Sequence, residues 1–310
     1  FVSFVREMVL NAELFNADAP SLRIAHQFDM AQSIGSGTRF GYTFSEVNKL
    51  TDYELNHLNS LEVVITPTAW QKDVYVSEGV SPPIEICHAG VDTSIFKPEQ
   101  YMPPKCIFLS IGKWEVRKQH DKIVEAFHLA FQNNSDVELW MSCDNKFIQE
   151  IVLQKQKEYK ALLGDKVRII SRVGTPAALA RIIQQSYCFV APSLAEGWNL
   201  PLLEAMACGK FNIATNYSGH TEFCTEKTSE LIEPNGMVPA IDNMWFLPNN
   251  KVNCGEWCSY SQDDLVESMR KIYNEKFKMG HVLNEDAALE AKKYTWTAAS
   301  EEMEKILCKY

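Results

Sequence analysis

No stretch of the 310-residue chain approaches the roughly 18 to 20 consecutive apolar residues that a helix needs to cross a bilayer, and no basic-then-apolar leader opens it. The sequence reads as that of a soluble protein. Positive charge is also in short supply: 30 Lys and Arg against 40 Asp and Glu leave a formal charge of −10. Nucleic-acid binding draws its affinity from cations that neutralise phosphates, so that balance argues against such a partner while allowing a local basic pocket. Gly-x-Gly-x-x-Gly is missing too, which disfavours an NAD-dependent oxidoreductase, since that chemistry needs those glycines after the first strand of a lobe. The nine cysteines are odd in number and fall mostly in apolar segments, as buried thiols of a reducing compartment do, and the expected location is the cytoplasm. Cys254 and Cys258 in CGEWC have no second pair nearby to complete a zinc pattern, so no metal site is expected.

What is present is an ordinary globular composition, 46% apolar and 23% charged, on a chain long enough for two cores. From residue 105 onward, β-branched runs (KCIFLSIG, VELWMSC, KVRIISRV, YCFVAPS, KFNIAT) alternate with amphipathic stretches such as HDKIVEAFHLAF and PAALARIIQQS. Alternation of this kind specifies a parallel, doubly wound α/β sheet. The first hundred residues repeat the theme with LRIAHQ, TRFGYT, LEVVIT and PIEICH as strands, and with helices capped by Thr51 and Thr68. The expected division is a first Rossmann-like lobe over 1–95, a second over 96–294 and a last helix over 295–310. The first lobe reads as incomplete, because it opens on a helix, FVSFVREMVLNAELF, with no strand before it and no initiator Met. Segments missing at the start or near NADAPS would explain that, and an intact mass differing from 35.3 kDa would reveal them.

The chemistry concentrates in PSLAEGWNLPLLEAMACG, residues 192–209, where an apolar strand gives way to a helix. Ligands of a doubly wound sheet bind beyond the carboxyl ends of its strands, which places Glu196 on that rim. Pro201 suits the first helical turn and points the backbone N–H groups of Trp198 to Leu200 at a positive helix end, a seat for an anion. Gly197 lets the backbone approach closely, and Glu204 follows about one turn into the helix. Two acids beside an anion seat make sense if each accepts hydrogen bonds from hydroxyl groups flanking a diphosphate. A capped helix with an acid in its first turn is the plainer alternative for Glu204. In SIGKWEVRKQHD, Gly112, Lys113 and Lys118 follow another strand, and both lysines can reach a diphosphate there; the bland alternative is a solvated charge run that includes Arg117.

At these residues the sequence resembles the retaining, nucleotide-sugar-dependent glycosyltransferases of family 4, which have the GT-B fold of two Rossmann-like lobes and share a Glu-x7-Glu motif, here Glu196 and Glu204. NYSGHTEF, EPNGMVP and VVITPTAWQKDVYVSEGV through HAGVDTSIFKP extend the resemblance over most of residues 60–240. The resemblance implies catalytic roles for Lys113, Lys118 and Glu196. Lys113, where Arg is usual, and Lys118 would neutralise the leaving diphosphate; Glu196 would hold hydroxyls of the donor sugar. It implies further that Glu204 holds the ribose, that backbone at Arg172 and Val173 meets the base, and that Gly112, Gly197, Trp198, Asn199 and Leu200 line sugar and phosphate. Ser218 and Gly219 stand where two glycines are usual. On the acceptor side, His26 and Glu46 follow predicted strands and are candidates for facing the cleft. The implied partners are a nucleotide sugar, the substrate rather than a bound cofactor, and a glycan or lipid-linked glycan; a lipid-linked acceptor would bring peripheral membrane contact. A sugar-nucleotide-binding protein without transferase activity is the alternative, and the oligomeric state stays open. Trp245, Phe246 and Trp257 are read as closing a sheet edge in preference to stacking on sugars.

Overall fold

The computed structural model describes residues 2–14 and 16–310. In the first lobe, α1 (Val2–Leu10) and a 3-10 turn (Asn11–Leu14) precede β1 (Ser21–Ile24), β2 (Arg39–Tyr42), α2 (Asp52–Asn59), β3 (Val63–Thr66), α3 (Ala69–Ser77) and β4 (Ile84–Ile86). The four strands form one parallel sheet in chain order. The ends of the predicted first helix, Phe1 and Phe15, lie outside the described residues. Both predicted caps are present: the Thr51 hydroxyl accepts from the Glu54 N–H in a reciprocal capping box, and Thr68 accepts from the Gln71 N–H.

The second lobe runs β5 (Cys106–Ile111), α4 (His120–Phe131), β6 (Val137–Ser142), α5 (Gln149–Leu163), β7 (Val167–Ile169), α6 (Pro176–Gln185), β8 (Cys188–Ala191), α7 (Leu200–Ala207), β9 (Phe211–Thr215) and β10 (Glu230–Ile232). Its six parallel strands lie in the order β10-β9-β8-β5-β6-β7. Helices cover both faces, so strands such as Cys188–Ala191 are buried along their whole length and read as unbroken apolar runs. On α4, Ile123, Val124, Phe127 and Phe131 recur at helical spacing and enter the core beneath the sheet. The strand order reverses between β5 and β8, and sheets of this kind bind ligands outside the carboxyl ends of the strands at such a point. Both segments singled out for phosphate chemistry, 112–118 and 192–199, leave the sheet there.

An antiparallel pair, β11 (Gly236–Pro239) and β12 (Glu256–Ser259), follows, then α8 (Gln262–Lys271), α9 (Glu285–Ala291) and α10 (Trp296–Lys309). The last helix packs on the first lobe, where Ile306 joins Phe40, Tyr42, Val63 and Ile65. The connection from β11 to β12 also reaches across. The Asn253 N–H donates to Glu54 Oε1 at 2.7 Å, the Thr51 hydroxyl to the Lys251 carbonyl at 2.6 Å, and the Trp257 indole to the Glu46 carbonyl at 2.9 Å. Trp257 is buried against Phe246, whereas Trp245 is exposed with its ring edge-on to Phe147. The segment read as a sheet edge is therefore also a strap between lobes.

Candidate active site

Asn199 caps α7 from the left-handed region, φ 73°, and its side-chain oxygen accepts from the Leu202 N–H. Few residues other than glycine and asparagine adopt that conformation cheaply, so Asn199 allows the turn and adds an amide to it. That amide meets His220 Nε2 at 2.8 Å, and His220 Nδ1 lies 3.2 Å from the Thr215 hydroxyl. Beneath the turn, the Glu196 N–H donates to the Ser218 hydroxyl at 2.8 Å, and the Gly219 N–H donates to the Glu196 carbonyl at 2.9 Å. A Cβ on Gly219 would lie 2.7 Å from that carbonyl oxygen, so the second of the two usual glycines is sterically required. The first is not: Ser218 takes φ 59° and uses its hydroxyl to hold Glu196.

Glu196 is 3% exposed and both carboxylate oxygens are engaged. Lys118 Nζ donates to Oε1 at 2.6 Å, and Arg117 Nη1 lies 2.9 Å from Oε2. Arg117, 4% exposed, also donates to the Ala195 carbonyl at 2.6 Å and reaches Glu115 at 3.0 Å and Glu46 at 2.7 Å. Lys113 closes the group with an ion pair to Glu115 at 2.9 Å. Burial by itself would raise the Glu196 carboxyl; Arg117 and Lys118 outweigh it and hold the group ionised, well below the usual carboxylate range. Burial likewise opposes the charge on Arg117, and Glu196, Glu46 and Glu115 restore it. Glu46 differs: burial, with Glu196 and Glu115 beside it, pushes its carboxyl up despite Arg117.

Beside this group, a cavity of about 290 Å³ is lined by Ile111, Ser142, Arg172, Val173, Thr175 and Glu204. Glu204 makes no side-chain hydrogen bond or ion pair among the described residues, and burial pushes its carboxyl up to about 7. A raised carboxyl favours the fold below its unfolded value, and the benefit is lost as pH rises through about 7. A diol reverses the preference, because its hydroxyls donate to an ionised carboxylate. Affinity for a nucleotide sugar, whose diphosphate does not titrate there, should rise about tenfold between pH 6 and 8. Calorimetric titration would measure it; a flat profile, or one unchanged in Glu204→Gln, would count against a diol partner for Glu204.

The structure thus brings together Lys113, Lys118, Glu196, Glu46, Gly112, Gly197 and Asn199, with Arg172, Val173 and Glu204 on the adjoining cavity. Gly112 borders the Lys118 stem, and Leu200 is partly exposed on the first turn of α7. The Trp198 side chain does not join them; it packs at 3% exposure among His88, Phe223 and Tyr294, so only its backbone stays with the turn. His26 is exposed, stacked on Phe28, and takes no part in the ion pairs around Arg117 among the described residues. Arg117, which only the alternative of a solvated run had mentioned, is the hub, because the 3-10 turn Val116–Lys118 swings it inward. His120 is 2% exposed, and burial depresses it to about 3. No motif announced either residue.

Residues 105–244 match the family model described as Glycosyl transferases group 1. A phosphatidylinositol N-acetylglucosaminyltransferase subunit from Arabidopsis thaliana is 26% identical over 245 residues, which are 75% of this chain and 51% of that protein. The chain spans about half the length of this curated relative. Among solved structures, sucrose-phosphate synthase from Thermosynechococcus elongatus superposes with a TM-score of 0.72 at 16% identity, covering 99% of this chain and 77% of that one. Anabaena HepE in complex with UDP and glucose gives 0.69 at 12% identity, over 88% and 72%. These likenesses show a GT-B architecture of two Rossmann-like lobes. The family match and the curated relative support a place among the group 1 glycosyltransferases.

Proposed function

We propose that the chain transfers a sugar from a nucleotide-diphosphate sugar to a hydroxyl of a glycan or lipid-linked glycan, retaining the anomeric configuration and needing no metal. One observation carries this: Glu196, held ionised by Lys118 and Arg117, sits at the amino end of α7 beside the cavity of Glu204. The anomeric carbon–oxygen bond breaks with its electron pair going to the phosphate, and Lys113, Lys118 and the α7 amides stabilise that charge as preorganised donors. Both oxygens of Glu196 are occupied, which makes it a poor nucleophile and favours attack by the acceptor from the face the diphosphate leaves. The acceptor's proton then passes to the departing phosphate. UDP-sugars are the first donors to test, since HepE was solved with UDP and glucose, and the name of the curated relative makes phosphatidylinositol-type lipids the first acceptors.

Nine free thiols fit a cytoplasmic setting, and no helix among the described residues is long and apolar enough to cross a membrane. A second reading is donor binding without transfer, which the same cations and the cavity beside Glu204 would also serve. A thermal-shift screen of UDP-, GDP- and ADP-sugars should single out one base by raising Tm. Labelled donor supplied with EDTA should then yield transferred sugar. Binding with neither transfer nor hydrolysis would establish the second reading, and activity restored only by Mn²⁺ would end the metal-free scheme.

A further inference from the structure

The cations of this site are already neutralised. Lys113, Arg117 and Lys118 face Glu46, Glu115 and Glu196, three charges of each sign. Glu115 and Glu196 belong to the second lobe, with side chains 7% and 4% exposed, and each has two cationic partners. Glu46 comes from the first lobe, its side chain is 30% exposed, and Arg117 is its one ion-pair partner among the described residues. The segment carrying it is pressed onto the turn before α7: a Cβ on Gly197 would lie 3.1 Å from Phe44 Cβ and 3.4 Å from the Ser45 carbonyl oxygen. Val47 and the Trp257 bond to the Glu46 carbonyl anchor its backbone, so the side chain is the part free to leave.

We propose that Glu46 is a built-in counter-anion, displaced from Arg117 when a diphosphate enters the site. This rests on the donor-site reading above and adds how the site is kept and released. A diphosphate brings two negative charges to a group whose cations are already paired. One acid must give way, and the most exposed, least paired one is Glu46. The first lobe thereby sets how readily the second accepts its donor.

Inorganic pyrophosphate is the probe, titrated calorimetrically at fixed ionic strength. Glu46→Gln should bind it roughly tenfold more tightly than wild type, because a competing charge is gone while the shape is kept. Glu46→Asp, too short to reach Arg117, should fall between them and serves if the Gln variant folds poorly. A crystal of the wild-type protein soaked in pyrophosphate should show the Glu46 carboxylate beyond ion-pair distance from Arg117. Equal or weaker binding by both variants, or an intact Glu46–Arg117 pair beside bound pyrophosphate, would overturn the proposal and leave the donor site standing. No binding by any of the three proteins would remove the phosphate seat itself, and the counter-anion with it.

Discussion

Lys118→Ala is expected to lower turnover by two to three orders of magnitude, the usual effect of removing one preorganised donor from a developing anion. The ammonium is held at 15% side-chain exposure by a 2.6 Å bond to Glu196, so it is already in place and partly dehydrated when a diphosphate begins to leave. Lys113, at 58% side-chain exposure and paired with Glu115, is a weaker electrostatic partner, and Lys113→Ala should cost less. The fold should survive in both, because Arg117 still compensates Glu196 and Glu115. Steady-state kinetics with a saturating donor separates chemistry from binding: the loss for Lys118→Ala should appear in kcat as well as kcat/KM. Wild-type turnover in that variant would remove Lys118 from the mechanism.

The sheet of the second lobe was legible because a strand buried on both faces is a continuous apolar run and its helices carry a strong 3.6-residue stripe. Lys118 and Glu196 could be placed at one site in advance because each follows a strand end, and the doubly wound topology brings those ends together; their ion pair was not foreseen. Arg117 could not. Nothing in Lys-Trp-Glu-Val-Arg-Lys says which cation turns inward; a single 3-10 turn decides it, and the compensating Glu46 comes from another lobe, 71 positions earlier in the chain. β10, β11 and β12 also escaped notice. They are three or four residues long, and the last two pair across a connection with no period of its own. Trp198 misled for a different reason: the resemblance placed it among the residues lining sugar and phosphate, yet buried aromatic area is more often spent on packing, here against Phe223 and Tyr294.

Arg117→Met should be the most destabilising single substitution at this site, by about 3–5 kcal/mol near neutral pH, because it leaves Glu46 without an ion-pair partner among the described residues and the buried Glu196 and Glu115 with one cation each. The sign of its pH dependence separates that cause from lost packing. In the wild type the Glu196 and Glu115 carboxyls lie below their unfolded value, so their contribution is present above about pH 4.5 and fades only in stronger acid. Without the guanidinium only Lys118 and Lys113 oppose burial, so both carboxyls should move up and the variant should gain less stability than the wild type as pH rises. The gap between the two proteins in urea unfolding should therefore be widest at pH 8 and narrow toward pH 5. Arg117→Lys should recover part of the stability, since it keeps the charge but loses the fork that spans Glu46, Glu115 and Glu196 at once. A gap constant across that range would mean that Arg117 acts by filling space, and the ionised state of Glu196 would need another source.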